Sequence, residues 1–142
     1  MIVSETVDLI VPGSPVGKGR PRFTRTGRSY TPEKTARYEN LIALAFQEKY
    51  PDWEPWDGEV EMMMTAYFEI PRSWSKKKQA KARDELIRPT KKPDLDNISK
   101  MKDALNGIAW KDDAQIVREE CEKKYSINPR LEITLYFGKE EE

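Results

Sequence analysis

Hydrophobic and polar positions change period several times along the chain, and each change marks an element. Residues Thr6 to Pro12 are largely β-branched or apolar and stop at Pro12-Gly13, which predicts a first strand. Thr31-Pro32 reads as an N-cap with proline at the first helical position. Behind it Tyr38, Leu41, Ile42, Ala45 and Phe46 recur at helical spacing, so an amphipathic helix is expected over residues 32–50. A loop comes next at residues 51–58. From Glu59 the period drops to two: Val60, Met62, Met64, Ala66, Phe68 and Ile70 share one face of a long strand closed by Pro71. Ser75 can cap a solvated helix over residues 76–87, and a further helix is expected over residues 96–106, stopped by Asn106-Gly107. Gln115 to Ile127 and Arg130 to Phe137 read as two antiparallel strands joined at Asn128-Pro129. The expectation is one α+β domain over residues 1–142, a two-layer arrangement with helices packed on one face of a mainly antiparallel, mixed sheet. Residues 138–142 are expected to fray as an acidic tail.

Composition narrows the chemistry. Of 142 residues none is histidine, which removes the usual zinc ligand, the usual neutral-pH base and every Ser-His-Asp or Cys-His mechanism. The single cysteine, Cys121, can form neither an internal disulfide nor a thiolate cluster. No stretch approaches the roughly 18 to 20 apolar residues of a membrane span, and a cytoplasmic protein is expected. The formal net charge is zero, yet it is a sum of separated blocks. Residues 14–37 carry seven basic residues against Glu33 alone, residues 72–92 carry nine against two, and residues 48–69 carry seven acidic residues against Lys49. The two basic blocks offer Lys18, Arg20, Arg22 and Arg25 in a glycine-rich loop over residues 14–30, and Lys76, Lys77, Lys91 and Lys92, as contacts for a phosphate backbone.

Between and after these blocks lies the acidic cluster. In Pro93-Asp94-Leu95-Asp96-Asn97, alternate residues of an extended segment put both carboxylates on one side, and Lys100 lies one helical turn beyond Asp96. A third carboxylate from the Asp112-Asp113 turn would complete an oxygen cage for magnesium or manganese. Such an ion suits phosphodiester hydrolysis. The plainer alternative makes the same aspartates helix caps and turn residues in a module that binds branched DNA without cutting it.

These motifs, with Asp103-Ala104-Leu105-Asn106-Gly107, Trp110-Lys111-Asp112-Asp113-Ala114-Gln115 and the amino-terminal Pro15-Val16-Gly17-Lys18-Gly19-Arg20-Pro21-Arg22-Phe23, resemble the RusA family of Holliday junction resolvases. The resemblance implies a homodimeric endodeoxyribonuclease that nicks a four-way DNA junction in pairs with magnesium, or manganese in its place. It implies Asp94, Asp96 and Asp113 as metal ligands, with Asp112 the rival for the third place, and Lys100 as the assisting lysine. Between Asp96-Asn97 and Asp103 this sequence is one residue shorter than the family pattern. A missing helical residue rotates every later position by about 100°, which makes Lys102 the alternative to Lys100. Asp103, seven residues after Asp96, falls on the same stripe and could support the site. Tyr30, Trp74 and Trp110 are candidates to stack on bases, though a core place is the commoner one for Trp110, and Phe23 is a candidate wedge.

Overall fold

The computed structural model describes residues 1–140. It contains β1 (Ile2–Pro12), a small hairpin of β2 (Arg22–Phe23) and β3 (Ser29–Tyr30), α1 (Glu33–Lys49), β4 (Val60–Glu69), α2 (Lys76–Arg83), α3 (Leu95–Ser99), β5 (Ile116–Ser126) and β6 (Arg130–Lys139). Short 3-10 helices cover Lys100–Leu105 and Asp113–Gln115. The sheet order is β1-β6-β4-β5, antiparallel at β1–β6 and β6–β4 and parallel at β4–β5. This is the expected α+β class.

Period-two patterning decides which face of the sheet is covered. Val7, Leu9 and Val11 of β1, Val60, Met62, Met64 and Ala66 of β4, and Leu131, Ile133, Leu135 and Phe137 of β6 are all buried, and the registers align them in rows. The core is completed by Tyr38, Ile42 and Phe46 of α1 and by Ile98, Met101 and Leu105. On β5 the covered face is polar instead: Glu119, Cys121 and Lys123 pair in register beside Met62, Met64 and Ala66. That change of character is where the site begins.

Several boundaries differ from the sequence expectation. The strands β5 and β6 do not form a hairpin, because β4 lies between them. Four peptide steps from Ser126 to Arg130 reach about 13 Å, enough to cross two strand spacings of about 4.8 Å. Pro32, rather than Thr31, occupies the N-cap of α1 and makes no side-chain cap bond. Ser75 does cap α2, accepting from the Lys78 amide at 3.2 Å, but the helix stops at Arg83 rather than residue 87. With Ala82 its one buried residue it has little to hold it, and Glu85 turns left-handed at φ 62°. Gly138 and Lys139, expected in a frayed tail, are paired with Val3 and Ile2 in the sheet; the end of that segment, residues 141 and 142, lies outside the described residues.

The loop expected at residues 51–58 ties two regions together. Trp53 and Trp56 pack on Phe137, with ring centroids 4.8 and 5.5 Å away, and their indoles donate to the carbonyls of Ala109 and Gly138. The Gln115 amide donates to the carbonyls of Trp56 and Gly58 at 2.7 and 2.9 Å. The turn that carries Asp112 and Asp113 is thereby fixed to the end of the sheet.

Candidate active site

Asp94 is the N-cap of α3, in extended conformation, but its carboxylate makes no cap hydrogen bond and stays open to another partner. One turn inward Ile98 is fully buried and Ser99 nearly so, which anchors the short helix under its exposed acidic start. Asp96 pairs with Lys100 at 3.1 Å, one turn apart and largely exposed. The loop before the hairpin lies across this corner: the Lys18 amide donates to the Asn97 carbonyl at 2.7 Å, and the Gly19 amide to Thr35 Oγ1 at 2.9 Å.

The Lys18 side chain is not free. Its ammonium donates to Asp103 Oδ2 at 2.6 Å and lies 3.5 Å from Glu39. Burial pulls its pKa down, but the bond and charge of Asp103, helped by Glu39, outweigh it and hold the group above its ordinary value. Asp103 in turn faces Asp113. Burial, and then the bond and charge of Asp103, raise the Asp113 carboxyl above the usual range, while the Trp110 indole, donating at 2.8 Å, and the charge of Lys102 oppose the shift. Next to them Glu119 accepts from Lys102 at 2.6 Å and from Ser99 at 3.0 Å. Two lysines therefore hold a group of carboxylates whose mutual repulsion would otherwise be severe.

Lys100–Leu105 is 3-10 rather than α-helical. At about 120° per residue against about 100° in an α-helix, the residues from Lys100 to Asp103 carry Asp103 about 80° further round. Asp103 is there brought to Lys18 and beside Asp113. Lys100 keeps its place beside Asp96, and Lys102 turns to Glu119.

The expected site residues fall into separate places. Asp94 opens on a cleft of about 630 Å³ lined by Lys18, Arg20, Arg22, Lys92 and Asn97, among others. Asp113, partly buried, belongs to the Asp103 group, whereas Asp112 is exposed, and its amide donates to Gln115 Oε1 at 2.8 Å. Among the described residues no three acidic or cysteine side chains already converge as a metal cage. Arg25 is at the tip of the hairpin. Lys91 adjoins the cleft's Lys92, and its carbonyl accepts from Lys123 at 2.6 Å. Lys76 and Lys77 are exposed on α2, whose neighbour Trp74 packs on Tyr125 of β5, about 20 Å along that strand from Glu119. Trp110 is fully buried and cannot be a base platform; Trp74 is half-buried between Tyr125 and the Lys78 ammonium. Glu39 and Glu119 carry no signal in the sequence, since they lie on different elements and no spacing links them to the aspartates.

The sequence is similar to known proteins. The family model described as endodeoxyribonuclease RusA matches residues 12–136, from the end of β1 to the later part of β6. The chain belongs to the RusA endodeoxyribonuclease family. It is also similar to the uncharacterized protein YqaN of Bacillus subtilis (strain 168), with 39% identity over 137 residues that cover 92% of this chain and 96% of that one. The RusA match takes in the hairpin, the cleft and every carboxylate named above. It also takes in the Gly17–Arg22 loop, so the loop that crosses the acidic corner belongs to the family region.

Proposed function

We propose that this RusA-family endodeoxyribonuclease is a divalent-metal-dependent resolvase that cuts four-way DNA junctions by paired nicks, as a homodimer, in recombination and repair in the cytoplasm. The observation that carries the reading is the uncapped Asp94 carboxylate at the start of α3, opening on a cleft lined by Arg20, Arg22 and Lys92. Carboxylates without histidine or a second cysteine suit a hard cation, magnesium or manganese. Asp94, Asp96 and Asp113 would hold it. Once bound, it would polarise a phosphate and lower the pKa of attacking water. Around that chemistry Lys100 holds Asp96 in place, Lys18 and Lys102 offset the charge of Asp103 and Glu119, and the cleft arginines grip the strand. Two such sites related by a twofold axis would match the symmetry of a junction cut on opposed strands.

The test is cleavage of a synthetic four-way junction with and without magnesium, on wild type and Asp96→Asn in parallel, with forks and linear duplex as comparison substrates. Cutting should need the metal, favour the junction, and fall at least about 100-fold in the variant. Metal-independent cutting, or an unaffected variant, would sink the reading. Junction binding without any cleavage would favour the binding module instead.

A further inference from the structure

The hairpin stands apart from the main sheet. Its strands are two residues long, Arg22 facing Tyr30 and Phe23 facing Ser29, and they form a separate two-stranded sheet. A ribbon this short is marginal in water by itself, so its shape comes from its turn. The Gly27 amide donates to the Thr24 carbonyl at 3.0 Å and Gly27 sits at φ +84°, a type I turn closed by a left-handed glycine. The Thr24 amide donates to the Arg28 carbonyl at 2.8 Å, and Thr24 Oγ1 accepts from the Arg28 amide at 3.2 Å. The turn is thus tied from both sides.

What this ordered ribbon presents is unusual for a protein surface. Phe23 is 72% exposed, with Tyr30 at 48% on the opposite face. The same nine-residue ribbon carries Arg22, on the Tyr30 face, and Arg25 and Arg28. An apolar partner would have to desolvate three guanidinium groups to reach the ring. A nucleic acid strand would satisfy them with phosphate while offering a base face to the phenyl group. Position favours the same occupant: Arg20 and Arg22 line the cleft onto which Asp94 opens, so a strand held there runs beside the ribbon, from whose other face Phe23 projects. A branch whose one strand lies in the cleft can pass a second strand across the Phe23 face of the ribbon.

We propose that the Arg22–Tyr30 hairpin is a finger that stacks Phe23 on an unpaired base at the branch point of the bound DNA. This rests on the reading of the chain as a branched-DNA nuclease and names the residue by which a branch is told from duplex. Duplex keeps its bases stacked and offers Phe23 nothing, whereas a branch point exposes a base face at little unstacking cost.

The experiment is a binding cycle in EDTA, so that no strand is cut. Affinities of wild type, Phe23→Ala and Phe23→Trp are measured at one salt concentration for a four-way junction, the same junction with abasic sites at its centre, and linear duplex. The ring is largely solvent-exposed, and unchanged thermal unfolding of the variants establishes that they fold. Phe23→Ala should weaken junction binding about 5- to 150-fold, Phe23→Trp should restore it, and the abasic junction should erase the difference between wild type and alanine. An equal loss on junction, abasic junction and duplex, or no loss on any, would overturn the finger. The two readings fail separately: wild type that never cuts with magnesium removes the nuclease, while a cutting enzyme without a Phe23 cycle removes only the finger.

Discussion

Gly17 has an ordinary backbone conformation, yet a Cβ built there would lie 2.6 Å from Pro93 Cβ and 3.3 Å from Asn97 Cβ. Two aliphatic carbons need about 3.5 to 4.0 Å, so Gly17→Ala must separate the loop from the Pro93–Asn97 corner by roughly 1 Å. Neither side yields easily. Pro93 is a rigid ring, and the next residue of the loop is held to Asn97 by the 2.7 Å bond from the Lys18 amide. Overpacking of this kind costs about 1–3 kcal/mol, or about 3–9 °C in Tm for a chain of this size. The effect on activity should be larger. The displaced corner carries Asp94 and Asp96, the loop carries Lys18 with its grip on Asp103, and a 1 Å misplacement can cost about 100-fold in rate. Gly13→Ala is the control: it meets nothing within 4 Å, and its cost comes from the backbone at φ +97° alone, about 1 kcal/mol. Urea melts and junction cleavage under saturating magnesium would be measured on both variants. If Gly17→Ala melts with wild type, or if it loses no more activity than Gly13→Ala, then the contact does not register the loop on the acidic corner and the reasoning is wrong.

Two further outcomes rest on single groups. Trp110→Phe keeps most of the buried volume but removes the indole donor from Asp113, so denaturation should show a loss of about 1.5–3 kcal/mol that largely disappears in an Asp113→Ala background, where no acceptor remains; a full loss there would point to packing alone. Burial, followed by the charges of Glu119 and Glu122, pushes the Cys121 thiol up to about 11, against an ordinary 9.0. Alkylation at pH 8 should therefore run about 100-fold slower than for a free thiol and recover in urea. Because the folded thiol holds its proton, its contribution to stability is complete below pH 9 and fades as pH rises through 11; a native rate equal to the denatured rate would refute this.

Legibility in the sequence depends on range. The alternation in β4 and β6 and the helical spacing in α1 are properties of one segment facing one core, and they appear as expected except at Leu41, which falls at the edge of the α1 stripe and is 51% exposed. The place of β4 between β5 and β6 is not local: a three-residue link reads as a hairpin until the partner strand is known. The same division runs through the site. Asp94, Asp96 and Lys100 lie within seven residues, so their spacing could be read directly. The contact of Lys18 with Asp103 joins residues 85 apart, and that of Lys102 with Glu119 crosses from a 3-10 segment to a strand. Neither leaves a trace in spacing. The finger was visible as a basic stretch with glycines, but its order depends on Thr24 taking both ends of a turn, which composition does not reveal.

The position of β6 also governs when nuclease chemistry can exist. This strand comes after all the others in chain order, yet it lies between β1 and β4 and pairs with both; Thr134 even donates to Asp8, 126 residues earlier, at 2.9 Å. At about 5 to 20 residues per second, β1 waits several seconds for its only partner in the sheet to be synthesised. All the site carboxylates have been made by residue 119, but the core that sets their spacing is missing the row from Leu131 to Phe137. A chain interrupted before that row carries every carboxylate of the candidate site but lacks the strand that joins β1 to β4. With the central strand made last, a chain truncated before residue 130 should neither fold nor cleave, which truncated and complete chains assayed side by side would check.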